Sequence, residues 1–399
     1  MRVCFAALLL LTAGIVSGDI PDCTLQWDCL SVIENQGNDI LLDCIMSDDC
    51  SSFKLVFSSL TEDGRELWLL ELDNAGEIMS RTELLSDQID QAEWLLPGFI
   101  DESIVAIAYG HWSGIFDVEF QIVDLTSPDD VNTISLSGLF PDDSVDRITS
   151  IEPSGTDLMI LVGSSRTSEQ ISSLFVAAMD LDGRVIWRIK LFESRDYVLD
   201  GSLLKLLDDG GCILMYREDY FPSEGIHIYR LDAGGREVWK SLIELDCEYA
   251  AGFSDFTELD NGNILCSGGF DKTGGRFAYR GILVCLDSSG EEVWRREDWY
   301  QDHTSFVSAE PVPEGGLMLT GWTGVEGDYE FEIIDMDVLI ANLDATGESI
   351  IGFLIEEHGD QNPRFVYEMG EGEYFIVGEH TPDGSDESDI FLGRVIVPL

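Results

Sequence analysis

The chain has 399 residues, and its 77 acidic residues against 22 Lys and Arg leave a formal net charge of −55 at pH 7. A surface of that sign repels phosphate backbones, which excludes nucleic acid as a partner. The acids are spread along the chain and not gathered in a tail, which marks a folded surface and not a disordered segment.

Residues 1–18, MRVCFAALLLLTAGIVSG, place Arg2 before an apolar run and end on small residues. That pattern predicts a secretory signal peptide with cleavage after Gly18, and hence an extracytoplasmic protein, secreted or periplasmic. The apolar run is shorter than the ~20 residues of a bilayer-spanning helix, and no later segment is apolar enough to span. Cysteines at 23, 29, 44, 50, 212, 247, 266 and 285 lie beyond the cleavage point. An even number on an exported chain predicts disulfides, with Cys23 and Cys29 stapling the N-terminal end. The spacing within 23–29 and 44–50 does not match the close pairs of a zinc site.

The remainder reads as short β-rich runs, among them DLMILVG, SLFVAAM, GIHIYRL, GILVCL and YFIVGE, each bounded by Gly, Asp, Asn or Pro. No stretch carries helical periodicity over several turns. The runs recur in register. A turn phrase appears as LDNAGEIMS at 72–80, MDLDGRVIW at 179–187, LDAGGREVW at 231–239, LDSSGEEVW at 286–294 and LDATGESII at 343–351. Gly183, Gly235, Gly290 and Gly347 stand 52, 55 and 57 residues apart, and DLTSPDDVN supplies a degenerate turn near Pro128. A second Gly-rich turn precedes each phrase, as in LDDGG and LDNGN. Four strands per ~50 residues, repeated, is the signature of an all-β fold, the β-propeller. Blades are expected over 36–85, 90–140, 146–194, 199–246, 250–300, 304–357 and 363–399, forming a single domain over 19–399. The last blade lacks a fourth strand, so residues 23–34 are expected to close it, because an open blade leaves a row of unpaired main-chain groups. SLTEDGRELW at 59–68 also matches the phrase through Gly64 and Trp68, which leaves six or eight blades as alternatives to seven.

Within the phrase, Asp bonds main-chain N–H groups two residues on and Gly accepts positive φ, which makes a tight turn between the third and fourth strands. Leu231, Leu286 and Leu343 end the third strand facing the interior, and Trp187, Trp239 and Trp294 fall where they can cover the seam to a neighbouring blade. The repeated LDxxGxxxW resembles the tryptophan-docking motif of PQQ-like β-propeller repeat proteins, a broad collection of bacterial exported propellers. The resemblance spans most of 60–399 and implies the fold. The common family pattern A-x-D-x-x-x-G-x-x-x-W has one more residue between Asp and Gly than stands here, and Ile351 replaces the last tryptophan. Neither adjacent cysteines nor a lipid-acceptor cysteine is present, so no quinone, other cofactor or lipid anchor is expected.

The repetitive turns share one face of the ring. The loops between second and third strands, and between blades, are long and individual and share the other, where binding residues are expected. Candidate binding residues there are His111, Trp112, Tyr220, Phe221, Tyr279, His303, Trp322, His358 and His380. No metal ligand is assigned, since DGSDESD lacks calcium-loop spacing. No GxSxG, HExxH or phosphate loop occurs. The expectation is a monomeric binding or protein-interaction scaffold for a protein or glycan ligand. The alternative is an exported propeller hydrolase or lyase using carboxylates and histidines of the same face; catalytic residues are not assigned.

Overall fold

The computed structural model describes residues 26–396 apart from 34–37, 48, 62–63, 86–88, 90–91, 93, 113–115, 129–130, 137–138, 140–142, 155–157, 168–170, 195–202, 218–224, 246, 273–278, 299–302, 313–315, 327–332, 344–348, 356–358, 371–372, 383–384 and 386–387. The 1–18 signal expectation and Cys23 lie outside these residues. So do the candidate site residues Tyr220, Phe221 and His358.

Seven four-stranded antiparallel sheets form a ring. Strand β1 (Gln26–Ile33) opens the described chain. Blade one is β2 (Asn38–Met46), β3 (Ser52–Thr61), β4 (Gly64–Asp73) and β5 (Ile78–Leu84). Blade two is β6 (Trp94–Asp101), β7 (Ile104–Trp112), β8 (Phe116–Asp124) and β9 (Val131–Ile134). Blade three is β10 (Asp143–Pro153), β11 (Leu158–Thr167), β12 (Ser172–Asp180) and β13 (Val185–Ser194). Blade four is β14 (Leu203–Leu206), β15 (Cys212–Arg217), β16 (Ile226–Leu231) and β17 (Glu237–Ile243). Blade five is β18 (Cys247–Glu258), β19 (Ile264–Lys272), β20 (Tyr279–Leu286) and β21 (Glu292–Asp298). Blade six is β22 (His303–Val312), β23 (Gly316–Glu326), β24 (Ile333–Leu343) and β25 (Ser349–Ile355). Blade seven is β26 (Asp360–Gly370), β27 (Glu373–Thr381) and β28 (Asp389–Ile396), completed by β1.

The first strands β2, β6, β10, β14, β18, β22 and β26 stand side by side around the bore, and β26 meets β2 again. The expected seven-bladed β-propeller and its closure by an N-terminal strand are both present. β1 runs antiparallel to β28, with Gln26 opposite Ile396 and Ile33 opposite Ile390. The marker glycine of blade one is Gly76, at φ +77° in the β4–β5 turn, while Gly64 begins β4.

Strand alternation explains why the blades stack. In β12, Phe175, Ala177 and Met179 enter the core shared with blade two, while Leu174, Val176 and Ala178 enter the core shared with blade four. Each of the seven seams carries its own apolar core in this way. That partition corrects the disulfide expectation for five of the eight cysteines, while the Cys23–Cys29 staple and Cys247 lie outside the described side chains. Cys44, Cys50, Cys212, Cys266 and Cys285 are free thiols. Cys44 lies in the core between blades seven and one, and Cys212 in that between blades three and four. Cys266 and Cys285, on adjacent strands, face opposite sides of blade five. No two of these four buried thiols share a core, and a disulfide needs its Cβ atoms within about 4.5 Å. Burial drives their protons on more firmly, holding Cys212 at about 12.

Five of the first strands bulge at the same place, between Leu41 and Asp43, Ile148 and Ser150, Phe253 and Asp255, Phe306 and Ser308, and Pro363 and Phe365. The bulge turns the next side chain toward the following blade. Gly163, Gly268, Gly321 and Gly378 on the second strands lie against it, where any Cβ would collide with a carbonyl of the bulged strand.

Candidate functional site

The face carrying the short turns is occupied by structural work. Asp73, Asp180, Asp232 and Asp287 each accept main-chain N–H groups two and four residues on, at 2.7–3.1 Å. Trp187 of β13 lies on Gly235 in the next blade's turn, and Trp239 of β17 lies on Gly290, where an added Cβ would come within 2.7 Å of the ring. Blade two achieves the same without tryptophan. Asn132 Nδ2 donates to Leu181 O at 3.2 Å and Ile134 covers Gly183. The phrase is a docking device between blades, and its turn aspartates are already engaged by main-chain N–H groups.

On the opposite face, the six candidates among the described residues are spread over blades two, five, six and seven. His111 and Trp112 end β7, opposite Asp117 and Phe116 of β8. His380 is half-buried in β27, between Gln361 and Asp389, in blade seven. Three others converge across the seam between blades five and six. Tyr279 opens β20, His303 opens β22, and Trp322 in β23 pairs with Ser305, two residues beyond His303. The Tyr279 N–H donates to His303 Nδ1 at 3.2 Å, which places the proton of the neutral imidazole on Nε2. The rings of Tyr279 and Trp322 stand 6.1 Å apart at 34°. His303 is fully buried, whereas Tyr279 and Trp322 remain half-buried. The histidine therefore braces the loop from behind, with Thr323 Oγ1 donating to its carbonyl at 2.8 Å. The two aromatic rings are the surfaces left to meet a ligand. Among the described residues no group of three or more His, Cys, Asp or Glu side chains is placed to hold one metal ion.

A second constellation lines the bore and was not visible in the linear repeat. Asp43 and Asp255 follow the bulges of β2 and β18. Asp43 accepts the N–H of Phe99 in blade two at 2.7 Å and its neighbour's, Cys44, at 2.8 Å. Asp255 accepts the Ser308 hydroxyl of blade six at 3.0 Å and meets Lys205 of blade four at 3.3 Å. Glu152 of β10 occupies the rung of Lys205 on the adjacent strand, two residues beyond the bulge. Asp43 and Glu152 keep partial contact with solvent in the bore, yet the ring packed around them strips most of their hydration. Desolvation raises Asp43 to about 6, against main-chain hydrogen bonds and the Lys205 charge that lower it. Desolvation also raises Glu152 to about 7, aided by Asp43 and Asp255 and opposed by Lys205. For Asp43 and Asp255 the signal in the sequence was the residue after the bulge, which emerges only when LLDCIM, ITSIEP, FSDFTE and FVSAEP are aligned on their first strands.

No helix among the described residues is long and apolar enough to cross a membrane. No family model matches the chain, and no curated protein matches it. Solved structures do. The β-propeller domain of the trilobed protease from Pyrococcus furiosus, described as having an open velcro topology, has TM-score 0.51 at 12% identity, covering 90% of this chain and 94% of that one. A protein of unknown function from Dyadobacter fermentans has TM-score 0.50 at 7% identity, covering 91% and 99%. The acylaminoacyl peptidase of Pyrococcus horikoshii has TM-score 0.49 at 13% identity, covering 90% of this chain and 52% of that one. At these identities the likeness is one of fold: the chain is a seven-bladed β-propeller, here closed by pairing of its first and last strands.

Proposed function

We propose that the protein is an exported binding scaffold whose ligand, a protein or a glycan, docks on the long-loop face at the seam of blades five and six. The observation that carries this reading is the convergence of Tyr279 and Trp322, half-buried and braced by buried His303, on the face opposite the repeated short turns. Rigid aromatic surfaces held by a scaffold bind flat sugar or side-chain faces at low entropic cost. Export rests on the 1–18 leader, and kinship with PQQ-like repeat propellers rests on the tryptophan docking seen at Gly235 and Gly290. The test is tryptophan fluorescence titration with panels of oligosaccharides and of peptides. Binding by the parent chain that is lost in Tyr279→Ala and Trp322→Ala, with folding intact, upholds the reading. A ligand bound equally by both variants refutes the site.

A second reading, acid–base catalysis, is supported by the bore and not by the loop face. Glu152, held at about 7, is poised near neutral pH to exchange a proton beside Lys205 and Asp255. A hydrolytic activity that survives Glu152→Gln unchanged would remove it.

A further inference from the structure

The phrase has a part that neither turn nor seam explains. Three residues past four of the marker glycines stands an exposed apolar residue, and five past stands a base: Met79 and Arg81, Ile186 and Arg188, Val238 and Lys240, Val293 and Arg295. Met79, Ile186, Val238 and Val293 are 52%, 51%, 53% and 54% exposed, although burial would favour each of them. They lie on β5, β13, β17 and β21, the outermost strands, at the rim. Some of the bases are engaged locally. Arg81 lies over the Trp68 ring at 3.9 Å, Lys240 over Tyr229 at 4.9 Å, and Arg295 donates to Glu244 O of the preceding blade.

β13 differs from the other rim strands. It is ten residues long, against four in β9, seven in β5, β17, β21 and β25, and eight in β1. Residues 184–192, RVIWRIKLF, hold three bases and no acid in a chain of net charge −55. β13 is the rim strand in which bases outnumber acids; in β5 and β17 they balance and in β21 acids prevail. Trp187, Ile189 and Leu191 turn to blade four, leaving Ile186, Arg188 and Lys190 on the exposed side, where Lys190 meets Glu193 of the same strand at 3.6 Å. The sheet ends at β13, so one edge of this strand presents main-chain donors and acceptors outward.

We propose that the outer edge of β13 is a docking site for an acidic, extended polypeptide segment of a partner, which adds as a fifth strand to blade three. Main-chain pairing along the edge supplies affinity, and Arg188 and Lys190 supply selection for carboxylates across from them. The charge argument also decides the occupant. A second copy of β13 brings like charges opposite one another, which opposes edge-to-edge self-pairing. An acidic strand is attracted locally by the same residues. The site is separate from the long-loop face and stands or falls independently of it.

The experiment uses the full chain and labelled short peptides alternating Glu and Val, read by fluorescence anisotropy. Controls are a Lys/Val peptide and a Glu/Val peptide N-methylated at alternate residues, which cannot pair along an edge. The parent is expected to bind the Glu/Val peptide, with at least tenfold weaker binding in R188E/K190E. Arg184→Glu, a turn variant, should weaken it less, and Lys240→Glu on blade four should leave it unchanged. The N-methylated and Lys/Val peptides should not bind. Thermal melts confirm that each variant is folded; should R188E/K190E fail to fold, Arg184→Glu carries the comparison. Absence of Glu/Val binding by the parent overturns the proposal. So does equal binding of the N-methylated peptide, which would mean charge attraction alone, or equal loss in Lys240→Glu. A dimer in sedimentation that R188E/K190E abolishes would assign the edge to a second copy and also overturn it.

Discussion

The indole of Trp187 lies against Gly235 of the following blade, and its Nε1–H donates to Ala233 O of the same turn at 3.1 Å. One residue thus joins two blades by ring contact and by hydrogen bond, and the glycine serves twice. It adopts φ +76°, and it leaves room for the ring. Gly262 has nearly the same φ, +77°, with nothing within 4 Å of where a Cβ would stand. The pair separates backbone strain from docking. Gly262→Ala should cost about 1 kcal/mol from positive φ alone. Gly235→Ala should cost about 2–4 kcal/mol because the ring must also move. Urea melts of the two variants check this, and equal costs would show that the ring yields freely.

Removing the ring itself gives the complementary result. Trp187→Ala leaves Gly235 and Ala233 uncovered and takes apolar contact from the core between blades three and four. A loss of about 2–3 kcal/mol is expected for a half-buried tryptophan. Asn132→Ala, which loses only a hydrogen bond to Leu181 O, should cost about 1 kcal/mol.

The bore predicts a pH dependence of defined sign. Asp43 and Glu152 hold protons more tightly folded, at about 6 and about 7, than at their ordinary values of 3.8 and 4.5. Folding is therefore most favoured by these groups below about pH 4, and that contribution is lost as pH rises to about 7. Glu152→Gln removes the penalty without breaking a main-chain bond. Asp43 accepts two N–H groups that an amide could not both accept, so its amide variant is a poorer probe. Glu152→Gln should raise the melting temperature by several degrees at pH 8, with the gain vanishing near pH 4. A gain independent of pH would place the effect in packing.

Closure by β1 predicts that deleting residues 26–33 exposes the edge of β28 and removes one quarter of blade seven. The truncated chain should melt more than 10 °C below the parent and self-associate through the open edge. A truncated chain that melts with the parent would show that closure contributes little.

The free thiols predict a labelling pattern. Cys50 is partly exposed, while Cys44, Cys212, Cys266 and Cys285 are buried with raised proton affinity. At pH 8 Cys50 should react with a chromogenic disulfide at least 100-fold faster than those four, which should react only on denaturation. Rapid native labelling of any of the four would mean that its seam opens.

Blade number, strand order and closure were legible because period and turn chemistry are local: Asp232 and Gly235 specify a turn whatever lies beyond it. The docking of tryptophans was legible for the same reason, but its replacement by Asn132 and Ile134 was not, because two residues share there what one ring does elsewhere. The Tyr279–His303–Trp322 cluster was legible as three members of a longer set, without the seam that selects them. Cys44, Cys212, Cys266 and Cys285 misled because export predicts pairing, while the alternation of each strand sends them into separate cores. Asp43 bears on Glu152 only through its charge across the ring, and no one-dimensional spacing encodes that relation.

The pairing of Gln26 with Ile396 sets the two ends of the described residues side by side, at the place where other blades have the turn between third and fourth strands. The ring is thus a continuous object cut once, at a position of no special shape. Joining those ends through a copy of the DAGG turn, and cutting instead between Leu231 and Arg236, would yield a circular permutant with the same seven seams. Anything fused directly to Gln26 or Ile396 would hang from the short-turn face, and the loops opposite would point away from the attachment.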